Sequence, residues 1–136
     1  METHVLDRID RILKGDRLFK LFDMELVDWA EGHARIRAEV KDSFTNAHGI
    51  AHGAMIFALI DVAFAISVNA RIDAVGVQWS FNIFRSTSPG DVILAESRLV
   101  HTGRSLMVVE FSAVSEKTGK TIAQGMATAL PLPANA

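Results

Sequence analysis

The chain has 136 residues, 49% of them hydrophobic, no cysteine, and 14 basic against 16 acidic residues for a formal net charge of −2. At this length a single domain over residues 1–136 buries a core without covalent staples, and the absence of cysteine excludes disulfides, thiolate zinc sites, iron–sulfur clusters and a cysteine nucleophile. A near-neutral balance with no Lys/Arg run argues against nucleic acid or an anionic membrane surface as partner, leaving a small molecule or a second copy of the chain.

Residues 1–16 are densely charged and lack the apolar stretch and small-residue cleavage site of a secretory signal. Over residues 5–22 the apolar positions Val5, Leu6, Ile9, Ile12 and Leu13 recur at helical spacing, Gly15 interrupts them, and Leu18, Phe19 and Phe22 continue beyond it. This predicts an amphipathic N-terminal helix with a second short turn. Residues 24–29 and 33–40 flank Glu31-Gly32 and predict a hairpin, with Ala34, Ile36, Ala38 and Val40 alternating against Arg35, Arg37 and Glu39. A loop over 41–51 follows. Residues 53–69 are too long and too continuously apolar for a solvated strand and predict a helix buried on every side. Its apolar run over 54–68 falls short of the roughly 20 residues that span a membrane and holds an acid at Asp61, so a soluble cytoplasmic protein is expected. Four strands are predicted over 75–83, 92–100, 106–115 and 121–130. In the first of them Val75, Val77, Trp79, Phe81 and Ile83 are expected on one face and Gln78, Ser80 and Asn82 on the other.

Helix, hairpin, buried helix and consecutive strands make an α+β arrangement: one antiparallel sheet, its consecutive strands expected as neighbours, with a long helix laid on it. One sheet face covers one side of that helix. The apolar outer side is expected to be covered by a second copy, giving at least a homodimer.

Asp61 is the most informative position. An ionised carboxylate in a helix that otherwise reads as core costs several kcal/mol to desolvate unless it is paired or its pKa rises. It reads either as a carboxylate hydrogen-bonded to a loop or partner, or as a general base or nucleophile. Just before the helix stand Asn46, His48, Gly49, His52 and Gly53. Two histidines four apart resemble a metal pair, but Gly49 between them argues for a loop and no third ligand is evident, so no metal is expected. Gly53 at the helix start offers a backbone N–H left unbonded by helix geometry and aimed at an anion or polarised carbonyl; His52 and Asn46 either assist it or only cap the helix and tie the loop. Gly53 and Asp61 are eight residues apart, about 12 Å along one helix, so they reach one carbonyl only if two helices pack antiparallel across a dimer.

The run Asn46-Ala-His48-Gly49-Ile-Ala-His52-Gly53-Ala-Met-Ile-Phe-Ala-Leu-Ile-Asp61 strongly resembles the motif opening the central helix of hotdog-fold thioesterases of the phenylacetic-acid-degradation (PaaI-like) group. Similarity covers nearly the whole chain, including residues 26–32, 81–90 and 119–125. The resemblance implies a hotdog fold, an antiparallel sheet wrapped around a long central helix with an N-terminal helix. It also implies hydrolysis of acyl-CoA thioesters without a cofactor, and dimers joined sheet edge to sheet edge that pair into homotetramers. The position of Asp61 would carry the catalytic carboxylate, Gly53 the oxyanion N–H, and Asn46 and His52 the placement of the thioester. Ala54 departs from the family's usual second glycine. Gln78 stands where a Ser or Thr is common, as a candidate substrate-binding residue or a solvated polar side chain. Arg85, Arg98 and Arg104 are candidates for CoA phosphates or plain surface charges. The two tryptophans and the phenylalanines read as core, with Phe44 or Phe64 open as acyl-pocket residues. The competing readings are a hotdog dehydratase or hydratase using His52 with Asp61, and a non-catalytic acyl-CoA binding module.

Overall fold

The break expected at Gly15 divides the N-terminal helical pattern into α1 (Thr3–Gly15) and α2 (Arg17–Leu21). Asp16 leaves helical geometry between them, at φ −79° and ψ 114°, and its carboxylate accepts the N–H groups of Leu18 and Phe19, which caps the second helix. In the computed structural model, which describes residues 3–133, the chain continues through β1 (Glu25–Ala30), β2 (His33–Glu39), a 3-10 turn at Asp42–Phe44, α3 (Gly53–Val68), β3 (Ala74–Ile83), β4 (Val92–Thr102), β5 (Met107–Ser115) and β6 (Thr121–Pro131).

The six strands form one antiparallel sheet in the order β1-β2-β4-β5-β6-β3. This corrects the expectation that consecutive strands are neighbours: β3 lies at the far edge beside β6, and β4 pairs with β2. Residues 84–91 make the crossing. Phe84 N–H bonds Ile122 O at 2.6 Å, the chain passes the start of α3 where Ala51 N–H donates to Thr87 O at 2.8 Å, and it arrives at β2 where Val40 N–H donates to Asp91 O at 2.9 Å. These three contacts tie the crossing segment to β6, to the residue before the α3 cap and to the residue after β2.

A second correction concerns β3. The register slips between Gly76 and Gln78, so Val77 is an extra bulge residue. Val75 and Val77 consequently face outward, 43% and 50% exposed, while Trp79 and Phe81 pack against the core. Gly76 makes room for this, since a Cβ there would come within 2.2 Å of the Trp79 ring and 2.8 Å of Phe64.

Helix α3 sits in the concave face of the sheet with Met55, Leu59, Ile60, Val62 and Ile66 fully buried, each such side chain contributing about 1.5–3 kcal/mol over exposure. Elements of the same chain lie over part of its outer side. Arg8 Nε donates to Asn69 O at 2.9 Å and its guanidinium pairs with Asp73, pinning α1 at the C-terminal end of α3. At the other end Phe22 meets Phe44 edge to face with ring centroids 5.0 Å apart. The helices α1 and α2 therefore run antiparallel over α3 and lay Ile9 on the core. Part of the apolar outer side of α3 is thus covered within the chain. What stays half-buried is one stripe at every fourth position: Gly53, Phe57, Asp61 and Ala65.

Candidate active site

The segment leading into α3 is tied by its own backbone. Asn46 N–H donates to Ile50 O and Gly49 N–H to Asn46 O, both at 2.9 Å, with Gly49 at φ 76°, where a side chain would be strained. The Asn46 Oδ1 accepts His48 N–H at 2.9 Å, which leaves the Nδ2 hydrogens of the same amide without a partner among the described residues. His52 is the N-cap of α3: its Nδ1 accepts Ala54 N–H at 2.9 Å. The neutral ring must then carry its hydrogen on Nε2. Both residues thus do what the capping alternative expected, and each keeps a further donor. Gly53 is the first residue of α3, and its N–H meets no acceptor among the described residues. Residues 46–53 carry three donors, from Asn46, His52 and Gly53, leading into the positive end of a 16-residue helix. Among the described residues no group of three His, Asp or Glu side chains could hold a metal ion.

Asp61 lies two turns further along, on the half-buried stripe. No hydrogen bond or ion pair reaches its carboxylate from the described residues. Burial pushes its pKa up, and the negative charge of Asp16 pushes it in the same direction. Its neighbours on the same helix face, Phe57 and Phe64, pack against the edge strand. Phe57 is edge to face with Trp79 at 5.4 Å and stacked on Phe81 at 5.8 Å, and Phe64 is tilted on Trp79 at 5.3 Å. These rings form an apolar shelf along the helix face that carries the carboxylate.

The remaining candidates are scattered. Gln78 is exposed at the bulge of β3, paired in register with Thr128 on the sheet face turned away from α3. Arg85 is exposed near the start of α3, where Ile83 approaches Gly53, and its Nη1 donates to Thr121 O at 2.7 Å. Arg104 is exposed in the β4–β5 turn, at the end of the sheet where α3 finishes beside Thr102 and Met107. The two arginines thus lie near opposite ends of α3. The fold therefore brings Asn46, His52, Gly53 and Arg85 to one end, sets Asp61 mid-helix and leaves Arg104 at the other end. Asp16 was missed by sequence reasoning; the only signal was an Asp before a short apolar helix, which reads as a cap and nothing more.

The profile of the thioesterase superfamily matches residues 48–122 of the chain. A putative esterase of Archaeoglobus fulgidus is 31% identical over 118 residues, covering 82% of this chain and 77% of that protein. The acyl-coenzyme A thioesterase PaaI of Escherichia coli is 27% identical over 111 residues, covering 81% of this chain and 79% of that protein. A solved structure of the E. coli PaaI protein superposes with a TM-score of 0.90 over 96% of this chain and 94% of the other, which at 23% sequence identity shows the shared hotdog fold. A crystal structure from Streptococcus mutans, bound to acetyl CoA, is 31% identical with a TM-score of 0.75 over 80% of this chain and 88% of that one.

Proposed function

We infer that this chain, a thioester hydrolase that belongs to the thioesterase superfamily, cleaves acyl-CoA thioesters of small aromatic or medium-chain acids to the free acid and CoA, at a site shared between two subunits. The observation that carries this reading is the pairing, on one helix, of the unbonded Gly53 N–H with the partnerless, half-buried Asp61. In a thioester hydrolysis the carbonyl oxygen gains negative charge as the carbonyl carbon is attacked, and a fixed N–H at a helix N-terminus stabilises that charge. Asp61 supplies the base that takes a proton from the attacking water, or itself attacks the carbonyl to give a transient anhydride that water then hydrolyses to the free acid and the restored carboxylate; in either route the C–S bond breaks and the departing thiolate takes up the proton lost by water, leaving as the CoA thiol. Asn46 Nδ2 and His52 Nε2 orient the thioester.

About 12 Å separate Gly53 from Asp61 within one chain, so the two act together across a pair of antiparallel α3 helices. The edge strand supports that pairing. Its outward Val75 and Val77 and the adjoining Phe84 are 43%, 50% and 55% exposed, an apolar edge of the kind that is normally covered by another strand. Two copies joined through β3 about a twofold axis bring Gln78 of each to the junction, and two such dimers make the homotetramer of the family. Arg85, and Arg104 from the partner subunit, meet the CoA phosphates. The acetyl CoA bound by the Streptococcus mutans relative supports the CoA portion of this assignment, and the E. coli PaaI protein, which comes from a phenylacetic acid degradation operon, supports a role in that degradation. A dehydratase would need His52 and Asp61 as one acid–base pair. His52 Nδ1 is already committed to the cap, which leaves that ring without a free acceptor for proton abstraction.

The test is thiol release from phenylacetyl, benzoyl, hexanoyl and longer acyl-CoA thioesters by the wild type and Asp61→Asn. Hydrolysis that falls at least about a hundredfold in the near-isosteric variant is the expected result. No release from any thioester, or an unchanged rate in the variant, overturns the assignment.

A further inference from the structure

We propose that Asp16, clamped at the junction of α1 and α2 beside the middle of α3, is a positioning residue that acts through Asp61, as the fixed negative charge that sets the pH at which Asp61 becomes the working base. The proposal rests on the reading of Asp61 given above. Its geometry comes from matched spacing along two antiparallel helices. Arg8 is pinned to Asn69 O at 2.9 Å. Asp16 follows Arg8 by eight residues and still belongs to the turn of α1, since its N–H donates to Ile12 O at 2.9 Å. Asp61 precedes Asn69 by eight residues. Each stretch is about 12 Å of helix, so the two carboxylates arrive at the same level. The Asp16 side chain does not wander: Oδ1 accepts Leu18 N–H at 3.0 Å and Phe19 N–H at 3.2 Å.

Among the described residues no Lys or Arg forms an ion pair with Asp16 or Asp61. Helix α3 carries no charged residue except Asp61. The sheet positions buried beneath it are apolar or hydroxyl: Ala34, Ile36 and Ala38 on β2, Ile93, Ala95 and Ser97 on β4, Val109, Phe111 and Ala113 on β5, with Trp79 and Phe81 on β3. On α1 and α2, Arg8 is held by Asn69 and Asp73 at the far end, Lys14 pairs with Asp10 at 2.8 Å, and Arg11, Arg17 and Lys20 are exposed. Lys41, beyond α2, pairs with Asp23 at 2.9 Å. Among the described residues Asp16 is the charged group whose field reaches Asp61. A like charge disfavours ionisation of its neighbour and so makes the ionised form a better proton acceptor, which is what a base acting near neutral pH requires.

A cap needs no charge, because Asn caps a helix as well as Asp does, and this separates the two roles of Asp16. The experiment is the pH dependence of kcat/KM for thioester hydrolysis by the wild-type enzyme, Asp16→Asn and Asp16→Ser, both of which keep a capping oxygen. The expected result is an acid limb displaced to lower pH in both variants, with thermal stability close to wild type. An acid limb that stays in place overturns the proposal, whether or not the plateau rate falls, since a merely structural role lowers the rate without moving the limb. Titration of the Asp61 carboxyl carbon by NMR in wild type and Asp16→Asn gives a second readout independent of activity, and an unmoved titration there also overturns it. If the limb moves but Asp61→Asn retains the wild-type rate, the assignment of Asp61 fails rather than the charge coupling.

Discussion

His52 Nδ1 accepts the N–H of Ala54 at 2.9 Å, and this one bond both caps α3 and dictates that the opposite ring nitrogen, Nε2, carries the hydrogen presented outward. The two consequences come apart by substitution. His52→Asn keeps a capping oxygen and loses the Nε2 donor, so its melting temperature is expected near wild type while kcat/KM falls. His52→Ala loses both and is expected to cost about 0.5–2 kcal/mol of stability in addition. Thermal unfolding alongside steady-state kinetics checks this; equal stability of the two variants contradicts the capping role.

Gly53→Pro removes the one N–H assigned to the oxyanion. The first helical position tolerates proline, and His52 before it sits at φ −65° and ψ 138°, the extended geometry that a following proline requires. The fold is expected to persist and kcat to drop by about 10²–10³. Mixing this variant with Asp61→Asn is expected to restore activity, because a mixed dimer rebuilds one site from the intact Gly53 of one chain and the intact Asp61 of the other. Failure of two well-folded variants to complement shows that the site is not shared.

Asp61→Asn is expected to melt higher than wild type at neutral pH. Burial raises the folded-state pKa of Asp61, with the Asp16 charge adding to it. The contribution of such a group to stability is therefore fully present below its unfolded value of about 3.9 and is lost as pH rises through the folded value. Removing the charge removes that loss, so the stability difference between variant and wild type is expected to grow with pH across this window. A variant less stable than wild type at pH 7 sinks the account.

Asp91 behaves in the opposite sense. Partial burial pushes its pKa up, but hydrogen bonds from Ser115 and Thr87 and from the backbone N–H groups of Val92 and Lys117 outweigh this and hold it below the usual carboxylate range. These bonds fasten the crossing segment to β5 and to the turn after it. Their stability is present above the unfolded value of about 3.9 and is lost as pH falls through the folded one. Asp91→Asn is expected to be less stable than wild type at pH 7, with the gap narrowing in strong acid, as read from urea unfolding at several pH values.

The elements were legible because each rests on local periodicity. The unbroken apolar run with Asp61 inside it marked α3, strict alternation marked β2, and the residues Asn46, His52 and Gly53 stood at a helix start where unbonded N–H groups are a geometric necessity. The face of β3 was misread because period-two alternation assumes an unbroken ladder, and the bulge at Val77 shifts its phase by one residue for the sake of packing Trp79 over Gly76.

By itself, then, the sequence determined which segments are helix or strand, which residue carries the mid-helix carboxylate, and which backbone N–H is left unbonded, since all of these follow from interactions within a few residues of chain. Only the tertiary structure decided that β3 occupies the edge of the sheet, that α1 is pinned to the C-terminal end of α3, and that the charge of Asp16 reaches Asp61. Those outcomes depend on backbone pairings and side-chain packing between segments far apart in the chain, and no local pattern encodes which distant partner wins.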